Sequence, residues 1–564
     1  MPLKIIRTHI STAITCIVFL LSLIQPVYSN PIAPIVNFLM DEAEDGGPGT
    51  NPLIWPVTDG YYGIPSTSLT LPGPDPTAGG GLYLIDIQAS YPLVDWQNLD
   101  RLYIPAGDYR FIRIGNLPDR ADNKPLIITN KDGQVRIGGM GHHYVFNISG
   151  GTNWVLTGRY DPLSQTGHTS YAGHRGGKFA NSQNTYGFLL DDNFSNGGSA
   201  VRVNFASKFR IEYTEIREVT FAGMLLKNSN YPNDPMQDCI INDNYIHDTG
   251  SEGLYIGATE GQPQHHIQNW RIFNNRVLRT GTEAIQLGQL AGNTQVYNNV
   301  FGPAAIDWRA AFQPYQDNNF QIGLRQGHLH VHHNIFIGSA GSMISFFAQY
   351  NANDDTSSNV GATIEDNYFS TMRGLGMYMN DTALANMSYS FKRNTFGNWN
   401  FERDEVYNET ASDHLFRIAN ASTPVAFIDN LWNGPAKMHT ALPTGNGTAG
   451  NRSGSGNLNS EAELVEFVNS GLNQSFDYLN LEMWAAMASL GQGVHADEPV
   501  IYQHNDVVTH LGSPFLCKTD PCGANLIPAD NPQTWTPLPQ FPDDVRVKPG
   551  STWESLGLQP NLSP

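Results

Sequence analysis

The sequence predicts an all-β fold, a parallel β-solenoid. Three observations carry that prediction: a recurring phrase, a two-residue apolar alternation, and turns punctuated by glycine and asparagine. The copies are IINDNYIHDTGSEGLYIG, RIFNNRVLRTGTEAIQLG, QVYNNVFG, HVHHNIFIGSAGSMISF, TIEDNYFSTMRGLGMYM, SFKRNTFGNW and AFIDNLWNG. Each holds an asparagine in the same place: Asn244, Asn275, Asn299, Asn334, Asn367, Asn394 and Asn430. The intervals of 31, 24, 35, 33, 27 and 36 residues vary while the phrase does not, as in stacked coils with loop insertions. An asparagine at one turn of each coil suits left-handed or bridging backbone angles, and stacked amides can hydrogen-bond along the axis.

The elements follow in order. Met1 to Ser29 places Lys4 and Arg7 ahead of the apolar run AITCIVFLLSLI and a small-residue site before Asn30, the layout of a secretory signal peptide. A mature chain from near Asn30 is expected, secreted to the extracellular space or the periplasm, with no later run apolar enough to span a bilayer. Residues 30–80 are rich in glycine and proline, as in DGGPGTNP and LPGPDPTAGGG, and read as an extended arm. The solenoid is assigned to residues 81–434, opening with RLYIPAGDYRFIRIG, PLIITNKDGQVRIGG and YVFNISGGTNWVLTG. Residues 435–564 read as a terminal cap: the low-complexity TGNGTAGNRSGSGNLN, helix candidates in SEAELVEFVNSG and NLEMWAAMASLG, and a proline-rich end.

Composition narrows the partners. With 32 Lys+Arg against 52 Asp+Glu the formal charge is -20, which disfavours nucleic acid and anionic membrane, and a monomer is expected. Cys517 and Cys522 suit a small disulfide loop, Cys239 suits a buried thiol, and no Cys/His spacing matches a metal site. Asn147, Asn380, Asn386, Asn408 and Asn420 open glycosylation triplets, which matter only in a eukaryotic secretory host.

From about residue 100 to 435 the repeated phrase resembles the right-handed parallel β-helix family of pectin lyases, polygalacturonases and related carbohydrate-active enzymes. The resemblance implies a right-handed parallel β-helix acting on polysaccharide. In polygalacturonases, catalytic aspartates sit in Asn-Thr-Asp-Gly and Gly-Asp-Asp phrases just before comparable strands. Here Ser251-Glu252-Gly253 and Thr282-Glu283-Ala284 fill those slots, so the resemblance implies acid and base roles for Glu252 and Glu283. The family's Gly-His-Gly and Arg-Ile-Lys phrases are absent, which argues against polygalacturonase itself.

The residues make a parallel case. Glu252 and Glu283 each lie eight positions after a repeat asparagine, which puts them in one column on adjacent coils about 4.7–4.9 Å apart. Like charges that close raise one pKa and so make an acid and a base from one residue type. Leu254, Ile256, Ile285 and Leu287 should face inward, leaving Tyr255, Gln286 and Gln321 on an outer face kept open by Gly257, Gly288 and Gly323. One coil earlier Ala222 takes the glutamate position and Lys227 that of Gly257. Asp248 is a third catalytic candidate and His247 a substrate contact, although Arg279 in the register of Asp248 also suits a structural ion pair. The insertion 302–319 offers Asp307, Trp308, Arg309 and Tyr315, a mixture suited to stacking on sugar and binding uronate or sulfate. His328, His330 and His332 alternate onto one strand face, as a metal site or a stacked surface, and LLDDN (Asp191, Asp192) is a calcium candidate. No other cofactor is called for.

Three functions fit. The first is a secreted glycoside hydrolase using the stacked glutamates on a polysaccharide. The second is a polysaccharide lyase acting on uronates, with Lys227, Arg217 and Arg279 as its cations. The third is a non-catalytic glycan-binding or adhesion solenoid.

Overall fold

The computed structural model describes residues 65–158, 186–348, 360–399, 415–432, 446–459, 476–477 and 507–537, apart from internal gaps of which the longest is 306–315. All of them lie in the second of two compact units, Trp55–Pro564; the signal run and most of the arm fall outside.

Period-two alternation commits the apolar runs to strands, and turn residues keep those strands short. Each coil of the repeat therefore lays down three, which pair in parallel with their counterparts one coil on. The first ladder stacks Ser207–Glu212, Ile240–Asn242, Arg271–Phe273 and Thr294–Tyr297. The second stacks Thr214–Val219, Tyr245–Thr249, Arg276–Thr280 and Val300–Phe301. In the third, Met224–Leu226, Leu254–Ile256, Ile285–Leu290 and Phe320–Leu324 follow one another. The first two ladders join in a sheet of 24 strands, and the third belongs to one of 13. The fold is a parallel β-helix.

Inward residues of the ladders form one hydrophobic cluster that includes Leu254, Ile256, Ile285 and Leu287. Within it Phe301, Phe336, Phe369 and Phe396 stack coil upon coil with centroids 5.1, 5.0 and 4.8 Å apart. Each such pair contributes about 0.5–1.5 kcal/mol beyond its buried area.

The repeat asparagines turn the chain from the first ladder into the second. Nδ2 of each donates to Oδ1 of the next, from Asn244 to Asn275, Asn299, Asn334, Asn367, Asn394 and Asn430, at 2.9–3.0 Å. The left-handed backbone, however, belongs to the residue before each: Asp243, Asn274, Asn298, His333, Asp366, Arg393 and Asp429. This corrects the expectation that the asparagine itself adopts it. The preceding residue makes the corner, and the asparagine then points its amide into the coil, where backbone carbonyls saturate it.

The solenoid reaches past 81–434 at both ends. Ser68–Thr70 pairs with Arg101–Tyr109, and Leu431–Trp432 pairs with Leu458–Asn459. Asn457 extends the ladder, accepting at Oδ1 from Asn430 Nδ2 at 3.0 Å. The glycines and serines around it hid the alternation, although its spacing from Asn430 fitted the repeat. Beyond lies a four-stranded sheet of Phe476–Asp477, Val507–His510, Ser513–Cys517 and Trp535–Pro537, which the sequence reading did not foresee. Cys517 and Cys522 form the expected disulfide, and Cys239 is buried. The two helix candidates lie outside the described residues. Asn147 sits within a strand, only 5% exposed, so its triplet is a poor glycosylation acceptor; among the other four, no described side chain tests the triplet.

Candidate active site

The turn that leads into the third ladder places the two glutamates. Leu254 is the register partner of Ile285, so Glu252 and Glu283, each two positions before the start of its strand, share one column on adjacent coils. The backbone bond from Gly253 N–H to the Glu283 carbonyl, 3.0 Å, fixes this register. The next residue on each coil faces the core: a Cβ on Gly253 would lie 2.1 Å from Val277 Cγ1, and Ala284 belongs to the hydrophobic cluster. The glutamates stand outside that cluster and yet are 1% and 0% exposed.

The sequence places this pair on an open flank, whereas the structure covers it. Both ends of the 302–319 insertion are pinned to the glutamate turns. Ala305 N–H donates to the Thr282 carbonyl at 2.8 Å, and Ala284 N–H donates to the Asn319 carbonyl at 2.9 Å. Gln316 Nε2 meets Glu252 Oε1 at 3.5 Å. Asp307, Trp308, Arg309 and Tyr315 fall within 306–315, outside the described residues.

The two carboxyl groups have different surroundings. Glu252 Oε2 accepts from the Ser251 hydroxyl at 2.7 Å. Neither oxygen of Glu283 has a hydrogen-bond partner of ordinary geometry. Burial, first, and the charge of Glu252, second, push the Glu283 carboxyl well above the usual range, and Asp317 adds to the effect. An unpaired carboxylate in such a place is costly, so the neutral acid is favoured. Sequence reasoning missed Asp317 and Gln316, although counting back from FQIG puts Asp317 in the register of Thr282.

Asp248 has a different occupation. Its carboxylate takes a bidentate pair of bonds from Arg279, 2.6 and 2.7 Å, and another from His247 Nδ1. Burial works against ionisation there, but the Arg279 charge and bonds outweigh it and hold the group well below the usual range. His247 stacks on Tyr245 at 4.0 Å, with Glu215 3.5 Å from its Nε2. One coil earlier Arg217 grips Asp191 at 2.7 Å.

Tyr255, Gln286 and Gln321 are register partners on the outer face of the third ladder. Tyr255 and Gln286 are largely covered, at 7% and 5% exposed, and Gln321 is half-buried. Lys227 lies over the Tyr255 ring, Nζ 4.0 Å from its centroid. Gly257 serves differently from the expectation of an open face. It has a left-handed φ of +77°, and a Cβ there would lie 2.0 Å from the Gly288 carbonyl oxygen, so the coils themselves require glycine.

The ion-binding candidates do not assemble. Asp191 is committed to Arg217, and Asp192 accepts from Gly139 N–H and the Ser195 hydroxyl. His328 bonds to Thr363, His330 to Glu365, and His332 stacks on Tyr297 at 5.0 Å with its pKa pushed down to about 2 by burial and neighbouring histidines. Among the described residues no three His, Cys, Asp or Glu are arranged to hold a metal. The residues at LLDDN do not fit calcium.

Comparison with known proteins agrees with the fold. The family described as "Right handed beta helix region" matches residues 148–301, which with the ladders makes this a right-handed parallel β-helix. No curated protein matches. The solved structure of the pectate lyase Pel9A is similar at TM-score 0.37 and 11% identity, over 60% of this chain and 74% of that one. An alginate lyase from Paenibacillus sp. str. FPU-7 is similar at 0.35 and 13%, over 66% and 95%. The family 28 exopolygalacturonase of Yersinia enterocolitica is similar at 0.34 and 12%, over 65% and 71%.

Proposed function

We propose that this protein is a secreted polysaccharide-degrading enzyme, a glycoside hydrolase in which Glu283 is the general acid and Glu252 its ionised partner. One observation supports the reading: two glutamates on adjacent coils, one hydrogen-bonded to a neighbouring hydroxyl and the other buried with no hydrogen bond of ordinary geometry and held toward its neutral form. Glycoside hydrolysis needs that inequality. A protonated carboxyl delivers its proton to the departing glycosidic oxygen, while a carboxylate activates water or attacks the anomeric carbon. In this reading Glu252, oriented by Ser251, takes the second task, and a substrate oxygen at Glu252 Oε1 replaces the long contact from Gln316.

The test is incubation of the purified protein with a panel of plant, algal and host glycans. Hydrolysis yields new reducing ends without ultraviolet absorbance of an unsaturated uronate. Silence on both readouts with retained glycan binding sinks the enzyme and leaves the adhesion solenoid.

Lys227 over Tyr255 favours the lyase as a second reading, because it sets a cation and a phenol on the outer face. Arg279→Gln separates the two. Asp248 then loses its cation, which costs about 1–3 kcal/mol, less than for a wholly buried pair; the Arg279 and Asp248 side chains keep 21% and 23% of their exposure. Chemical denaturation reads the loss of stability. Turnover per folded molecule is retained if the glutamates do the work, and its disappearance favours the lyase.

A further inference from the structure

We infer that Asn446 is a site of covalent modification by water: its side-chain amide is lost through a succinimide formed with Gly447, and the loss uncaps the C-terminal end of the asparagine ladder. The chemistry needs an asparagine whose side chain can reach the backbone nitrogen of the next residue. A side chain on that residue hinders the approach, and glycine has none. The sequence holds three Asn-Gly pairs, at 196–197, 433–434 and 446–447, and the last lies within the described residues. Asn446 and Gly447 are both exposed, and a Cβ on Gly447 would meet nothing within 4 Å, which leaves room for the ring.

The repeat asparagines are protected against the same reaction. Asn244 to Asn430 are buried, and each precedes a residue with a side chain. The nitrogen that would attack is also held: Arg276 N–H, which follows Asn275, donates to the Asn244 carbonyl at 2.9 Å, and the bond recurs on each coil as far as Leu431 N–H to the Asn394 carbonyl at 2.8 Å. Those amides react only when a coil opens. Asn446 closes the ladder from outside the repeat. Its Oδ1 accepts from Asn457 N–H at 3.0 Å, and its Nδ2 donates to the Asn457 carbonyl at 3.0 Å. Gly447–Ala449 then runs antiparallel to Arg452–Ser455, the strand that stacks on Val425–Ile428.

The Gly447 nitrogen, on giving up its proton, bonds to Cγ of Asn446; the Cγ–Nδ2 bond breaks, and Nδ2 leaves as ammonia with that proton. Water then opens the ring. Cleavage at Cγ leaves aspartate, whereas cleavage at the main-chain carbonyl carbon leaves isoaspartate, with the main chain running through Cγ. Aspartate sets an oxygen against the Asn457 carbonyl where Nδ2 donated, so a bond becomes a repulsion. Isoaspartate lengthens the main chain immediately before Gly447–Ala449 and moves that strand out of register with Arg452–Ser455.

The test is incubation of the purified, folded protein at neutral and mildly alkaline pH, followed by peptide mapping. Trypsin puts Asn446 in peptide 438–452, apart from Asn433, and fragmentation distinguishes it from Asn451. The expected result is conversion of Asn446 to aspartate and isoaspartate, faster at the higher pH because the attacking nitrogen must lose its proton. Asn457, buried and followed by Leu458, should convert at least about tenfold more slowly. An Asn446 amide still intact in the folded protein when the same chain unfolded in urea has lost it overturns the site. Uncapping is read by hydrogen exchange of Asn446→Asp: amides of 447–459 should exchange about tenfold faster than in the parent, and those near Asn299 at the parent rate. Unchanged exchange over 447–459 overturns the uncapping.

Discussion

Replacing Glu283 with glutamine is expected to lower kcat by about 10²–10⁴-fold, the usual contribution of a positioned general acid, while raising the melting temperature at neutral pH. The two effects come from one cause. The Glu283 carboxyl is buried, with no hydrogen bond of ordinary geometry, beside Glu252 and near Asp317, and its pKa in the folded chain lies well above that of an unfolded glutamate. Between those two values the native state binds the proton and the unfolded state does not. Stability is therefore highest below the unfolded pKa and declines as pH rises toward the folded one. Glutamine keeps the shape, carries no charge at any pH and escapes that decline. A melt of both proteins across acid to neutral pH should show the gap widening upward in pH. A variant no more stable than the parent at any pH, or one that still turns over a glycan at the parent rate, would falsify the assignment.

How much of this was legible in the sequence differs between fold and site. The asparagine phrase and the alternation around it specify a parallel stack because both have one physical reading: a polar side chain that saturates a corner, and strands that bury one face. Register followed from the same phrase, so the pairing of Glu252 with Glu283 and of Tyr255 with Gln286 was readable by counting. Burial was not. Exposure of the glutamates depends on the ends of the 302–319 insertion, and its residues Ala305 and Gln316 belong to no repeat. Glycine likewise misled: Gly257 was read as clearing space outside the coil, but the carbonyl of Gly288 on the adjacent coil needs the room.

Asn299→Ala should be the most destabilising single change in the solenoid, at about 3–5 kcal/mol. Its Nδ2 donates to the Ile272 carbonyl, the Tyr297 carbonyl and Asn334 Oδ1, each at 2.9 Å. In the other direction its Oδ1 accepts from Asn275 N–H at 2.9 Å and Asn275 Nδ2 at 3.0 Å. Alanine removes all five and leaves buried groups on both adjoining coils without water to replace them, which is costlier than the bonds themselves. Aspartate is no remedy, because an oxygen would then face Asn334 Oδ1 and two carbonyls. At the far end of the ladder, Asn457 donates to the Phe427 carbonyl and is met on its outer side by Asn446, which is exposed to solvent, so Asn457→Ala should cost less. In a stack whose coils interact chiefly with neighbours, the interior substitution also weakens coupling between the two halves. Hydrogen exchange should then show the coils on either side of Asn299 opening at a lower free energy than those near Asn457 in its own variant. Equal losses at the two positions would mean that the amide ladder merely decorates a stack held by the phenylalanine column.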